Sequence, residues 1–235
     1  MSAKEIRLSV SEKAGKVSGL LLKPKGAKAL LVLAHGAGAG MRHPFLEKLS
    51  GALAAEGVAT LRYEFPYMEQ GKRRIDRPPV LHERIREAVA VAARERLPLF
   101  AGGKSMGGRM TSQAQSLAPL ADVLGLAFVG FPLHPAGKPG VERAEHLAKV
   151  EVPMLFLQGT RDDLAELALL RPVIDGLSRA TLHVVDGADH SFHVRKSSGR
   201  TDGDVLAELA TTFARWAQRT IGDSSSRASR SAGSR

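Results

Sequence analysis

Residues Gly103-Lys104-Ser105-Met106-Gly107 set a serine between two glycines, where an apolar strand, Pro98 to Gly102, gives way to a helix. A serine hydroxyl is a poor nucleophile unless three conditions are met. It must be held at a sharp turn, be offered a base, and be faced by amide donors that receive the negative charge of the oxyanion. The G-x-S-x-G spacing is that of a nucleophile elbow, in which small residues permit the turn and bring the helix close to the sheet. A chain with 24 glycines produces the pattern by chance, and a helix-capping serine is the plain alternative. The surroundings therefore carry the weight.

Two loops further along supply the partners such a serine needs, in the order serine, acid, histidine. After the apolar strand Val152 to Leu157 comes Gln158-Gly159-Thr160-Arg161-Asp162-Asp163, a turn that presents a carboxylate. Asp162 is the expected acid, with Asp163 as its competitor. After the strand Thr181 to Val185 comes Asp186-Gly187-Ala188-Asp189-His190-Ser191-Phe192, which presents an imidazole. His190 is expected there ahead of His193, which lacks the preceding Gly-Ala-Asp turn. The oxyanion donors are expected from the N–H of Met106, after the serine, and from the loop His35-Gly36-Ala37-Gly38-Ala39-Gly40, with Ala37 first and Gly38 next.

These residues have to be positioned by strands and helices. From about residue 28 the chain alternates the two, which implies an α/β class with a mostly parallel sheet and helices on both faces. Strands are expected at 5–10, 16–23, 29–34, 58–63, 98–102, 123–131, 152–157 and 181–185, the first two antiparallel and joined near Ala14-Gly15. Helices are expected at 44–56, 80–96, 106–117, 141–150, 165–177 and 204–220. In a parallel sheet, functional groups collect at the carboxyl ends of the strands, where all three loops emerge.

Length and composition set the outer limits. The 235 residues fit one domain, expected over 1–221, followed by a Ser/Arg-rich basic tail, 222–235, expected to be disordered. The absence of cysteine removes disulfides, thiolate metal sites and a thiol nucleophile together. Neither a signal peptide nor a membrane-spanning apolar run is visible, so a cytoplasmic protein with no membrane partner is expected. The net charge of +10 raises the question of nucleic acid. The cations are scattered, however, and the cluster Lys72-Arg73-Arg74 has no interleaved stacking aromatics, so a nucleic-acid partner is not expected.

Together His35-Gly36-Ala37-Gly38, Leu61-Arg62-Tyr63, Gly102 to Arg109, Phe131-Pro132-Leu133-His134 and Asp189-His190-Ser191-Phe192 resemble the α/β-hydrolases, in the group that is dienelactone-hydrolase-like. The resemblance covers nearly the whole chain short of the tail. It implies an eight-stranded α/β-hydrolase fold, with Ser105 attacking, His190 moving the proton and Asp162 orienting the imidazole. It implies an acyl-enzyme route that needs no cofactor and no metal. One departure counts: dienelactone hydrolases proper use a cysteine nucleophile, so their substrate does not carry over.

No large lid domain is expected, since only Pro132 to Val150 separates the sixth strand from the seventh. The expected reaction is cleavage of an ester or related acyl bond of a small to medium substrate, anionic or polar in one reading, with a thioesterase, a peptidase or a non-catalytic binding domain of the same fold as the alternatives. Residues considered for contacting the substrate are His35, His134, Tyr67, Arg73 and Arg74. For His35 a loop-shaping role is the stronger reading. For the segment Phe65 to Pro79 a substrate loop and a solvated surface loop stand level.

Overall fold

The computed structural model describes residues 2–8 and 17–232. Eight strands form one sheet: β1 (Lys4–Leu8), β2 (Val17–Leu22), β3 (Ala29–Ala34), β4 (Val58–Tyr63), β5 (Leu99–Lys104), β6 (Val123–Val129), β7 (Met154–Arg161) and β8 (Ala180–Asp189). Their spatial order is β1-β2-β4-β3-β5-β6-β7-β8. β2 runs antiparallel to both β1 and β4, and the remaining neighbours are parallel. The expected β1–β2 turn near Ala14-Gly15 lies outside the described residues.

Strand β3 shows why the sheet is two-sided. Its six residues, Ala-Leu-Leu-Val-Leu-Ala, are all buried. A strand turns alternate side chains to opposite faces, so a continuous apolar run is what a sheet covered on both faces requires. Leu30, Val32 and Ala34 join the core beneath α3 (Pro78–Ala93), α4 (Met106–Leu117) and α5 (Leu167–Asp175). Ala29, Leu31 and Leu33 join the opposite core beneath α1 (Pro44–Ala55) and α6 (Asp202–Ala232). In that second core Phe100 meets Phe213 and Trp216 at centroid distances of 5.7 and 5.4 Å.

Several expectations change at the edges. β7 and β8 run past the expected 157 and 185 because they pair with each other as far as Arg161 and Asp189. The stretch expected as a helix at 141–150 is a 3-10 segment, Glu142–Lys149, that buries Ala144 and Leu147. That three-residue spacing suits a helix of three residues per turn. Between β6 and β7 this segment is the only helical structure, and among the described residues no lid domain covers the sheet. A short helix, α2 (Pro66–Glu69), lies within what reads as loop, with Pro66 at its first turn.

The largest difference is at the end of the chain. α6 continues to Ala232, so the backbone at 222–232 is helical where the composition pointed to disorder. A docked helix supplies its own nucleus, and each added residue then gains a hydrogen bond without the nucleation cost. The hydroxyls of Ser224, Ser225 and Ser226 also bond back to the carbonyls of Thr220, Ile221 and Gly222.

Candidate active site

Ser105 sits between the end of β5 and the start of α4 with φ 51° and ψ −120°. Few residues with a Cβ adopt a positive φ, and such strain persists only where the surroundings impose it. Here close packing imposes it. A Cβ on Gly107 would stand 2.5 Å from the carbonyl oxygen of His35, which leaves room for glycine only. The helix thus comes within backbone contact of the loop after β3.

The loops after β7 and β8 meet the serine at this edge. His190 Nε2 lies 2.9 Å from Ser105 Oγ, and His190 Nδ1 lies 2.7 Å from Asp162 Oδ2. Asp162 is fully enclosed, whereas the His190 ring is about one-fifth exposed. Asp162 is held from two further sides. Its Oδ1 accepts the N–H of Leu164 at 2.9 Å, and Gln158 Nε2 donates to Oδ2. Gln158 in turn accepts the N–H of Phe131 at 2.9 Å. Asp163 is exposed and His193 pairs instead with Asp202, so both competitors stand outside the chain of hydrogen bonds. The His190 loop is shaped by Asp189, whose Oδ1 accepts from the N–H groups of Ser191 and His193.

Met106 is the first residue of α4, so its N–H has no acceptor within the helix and lies at the positive end of the dipole. Ala37 lines the same cavity as Ser105 and His190. Gly38 does not serve as the alternative donor, because its N–H is taken by the Tyr67 hydroxyl at 3.0 Å. The loop after β3 is pinned from below. His35 is fully buried; its Nδ1 donates to the Gly36 carbonyl at 2.7 Å, and its Nε2 accepts the N–H of Phe65 at 3.1 Å. This bonding fixes a neutral tautomer, and burial pulls the pKa down to about 4, against the opposing effect of the Gly36 bond. Glu64 accepts the N–H of Met41 at 3.0 Å, which ties the far end of the loop to β4.

The cavity beside Ser105 has a volume of about 320 Å³ and is walled by Ala39, His43, Phe45, Leu46 and Leu164 among others. Larger clefts of about 670 and 560 Å³ lie against α6, on residues such as His183, Arg215 and Trp216, away from this chemistry. Of the five residues considered for substrate contact, none lines the Ser105 cavity. His35 shapes the loop. His134 is buried, with its Nδ1 bonded to the Pro135 carbonyl and its Nε2 to Glu166. Tyr67 is buried as the partner of Gly38 and lines, with Arg73, a neighbouring cavity of about 340 Å³. Arg73 and Arg74 are exposed.

Sequence reasoning passed over Gln158 and read Lys104, next to the turn serine, as pointing away from the site. Gln158 stands in the acid-bearing turn, but its side chain shows its use only when β6 is alongside. Lys104 lines the cavity, although a residue next to a turn serine commonly points away. Among the described residues no group of three or more His, Asp or Glu is placed to hold a metal ion. Among them, too, no helix is long and apolar enough to cross a membrane.

Residues 27–218 match the profile of a family described as an alpha/beta hydrolase domain, which is most of the chain. The protein belongs to the alpha/beta hydrolase family. Solved structures agree on the fold of this chain. It resembles a dienelactone hydrolase from Anabaena variabilis with a TM-score of 0.72 and 22% identity, over 93% of this chain and 99% of that one. It resembles an esterase domain from a Rhodothermus marinus protein with a TM-score of 0.70 and 18% identity, over 93% and 99% of the two chains. A Xanthomonas campestris protein described as a serine hydrolase without lid gives a TM-score of 0.70 at 18% identity, over 92% and 95%. At these identities the likeness establishes the fold, and chemistry has to be argued from the site.

Proposed function

We propose that this alpha/beta hydrolase is a serine hydrolase that cleaves an ester or related acyl bond of a small substrate through an acyl-enzyme. The observation that carries the reading is the continuous chain from Ser105 Oγ through His190 to Asp162, with bonds of 2.9 and 2.7 Å, set on a backbone turn with positive φ. His190 Nε2 is placed to take the Ser105 proton as the hydroxyl attacks the acyl carbon, and to return it to the leaving group. Asp162 fixes the tautomer by accepting from Nδ1 and supports the imidazolium that forms. The N–H groups of Met106 and Ala37 receive the oxyanion of the tetrahedral intermediate. Water then enters by the same base and releases the acid.

The substrate is read as small because the cavity beside Ser105 is about 320 Å³ and is walled by Phe45, Leu46 and Leu164. Among the described residues no lid domain stands over Ser105, so nothing in this reading restricts the leaving group to an alcohol, a thiol or an amine. A fluorophosphonate probe tests the reading, with short p-nitrophenyl esters measured alongside. Wild type should be labelled and should turn over the esters, and Ser105→Ala should do neither. A folded wild type that neither labels nor turns over ester would leave the fold as a binding domain.

A further inference from the structure

Lys104 is the last residue of β5, directly before Ser105, and its half-buried side chain lines the cavity. Its ammonium lies 5.7 Å from the centroid of the Phe192 ring. It also lies 3.1 Å from the point where a Cβ on Gly130 would stand, and Asp162 Oδ2 lies 3.5 Å from that same point. Gly130 has φ +68° and no side chain, so the space beside it is left to a cation and a carboxylate. Oδ2 is the oxygen that accepts from His190 Nδ1. The charges acting on the ammonium are Asp162, after β7, and Asp189, at the end of β8. The other walls, Gly36, Gly130 and Phe192, carry none.

We propose that Lys104 is a positioning residue for the Ser105–His190 pair: its ammonium offsets part of the charge that Asp162 presents to His190 Nδ1. The inference rests on the serine-hydrolase reading above. A carboxylate bonded to an imidazole favours the imidazolium, and an imidazolium cannot act as a base. A cation beside the same carboxylate works in the opposite sense. Burial pulls the Lys104 pKa down to about 8, against the pull of Asp162 and Asp189. At neutral pH the group therefore still carries most of its charge.

The test uses the full chain with Lys104→Met, Lys104→Gln and Lys104→Arg. Two quantities are read: kcat/KM for p-nitrophenyl acetate across pH 5 to 9, and the titration of the His190 ring by NMR. Both neutral variants should move the acid limb and the ring pKa upward by about 0.5–1 pH unit, and the arginine should restore them. A purely structural lysine would change the level of activity without moving either quantity. An unmoved His190 titration in a folded neutral variant overturns the proposal. Absence of turnover in wild type would instead overturn the hydrolase reading, and the NMR titration would still decide the role of Lys104.

Discussion

At the residue scale, the site is a set of side chains whose freedom has been removed by neighbours. Asp162 shows this most fully: three partners, His190, Gln158 and the N–H of Leu164, use both of its oxygens. Such a carboxylate sets the histidine tautomer. Asp162→Asn keeps the shape but offers an amide where an acceptor is needed, so His190 is driven to the wrong tautomer. We expect kcat/KM to fall by about 10,000-fold with little change in melting temperature. A fall of less than tenfold would mean that another group supports His190. Ser105, Asp162 and His190 were legible in the sequence because each stands in a turn that follows an apolar strand. Gln158 and Lys104 were not, since the direction of a side chain at a turn depends on the neighbouring strand. The same holds for Gly38: nothing nearby in sequence says that the Tyr67 hydroxyl takes its N–H.

At the element scale, the position of Ser105 depends on how closely α4 approaches the loop after β3. The contact sits at Gly107, where an added Cβ would meet the His35 carbonyl oxygen at 2.5 Å and that of Ala34 at 2.7 Å. Both neighbours are backbone, so nothing can swing aside. Gly107→Ala should therefore lower stability by about 1–3 kcal/mol, as overpacking does, and should misplace Ser105 and the Met106 N–H together. Urea unfolding with ester kinetics checks this, and an alanine variant as stable and active as wild type would contradict it. The strands could be read from their apolar runs, because strands buried on both faces have little other composition available. Their ends could not, since pairing between β7 and β8 decides where they stop. The 3-10 segment at Glu142–Lys149 and the helical continuation of α6 to Ala232 likewise come from packing and propagation.

At the scale of the whole molecule, one buried histidine, His35, and two half-buried ones, His82 and His146, couple folding to pH. Burial lowers the pKa of His35 to about 4, and that of His146 to about 4 with help from Arg109 and His82. His82 moves in the same direction for the same first reason. In the unfolded chain these rings titrate near 6.5, so between about pH 6.5 and 4 the unfolded state binds protons that the native state refuses. Stability should be complete above that window and should fall as pH drops through it. His193 works the other way, its pKa raised by Asp202, but it is fully exposed and its pairing is screened by solvent. Urea midpoints should accordingly fall from pH 7 to pH 5. A midpoint that holds or rises would place these rings in contact with solvent.

The central claim is that Ser105 is a nucleophile activated by His190. Peptide mass spectrometry after reaction with a fluorophosphonate tests it most directly. We expect a single stoichiometric adduct on Ser105, strongly slowed in His190→Ala and absent in Ser105→Ala. No adduct on folded protein, or an adduct on another residue that persists in Ser105→Ala, would contradict the claim.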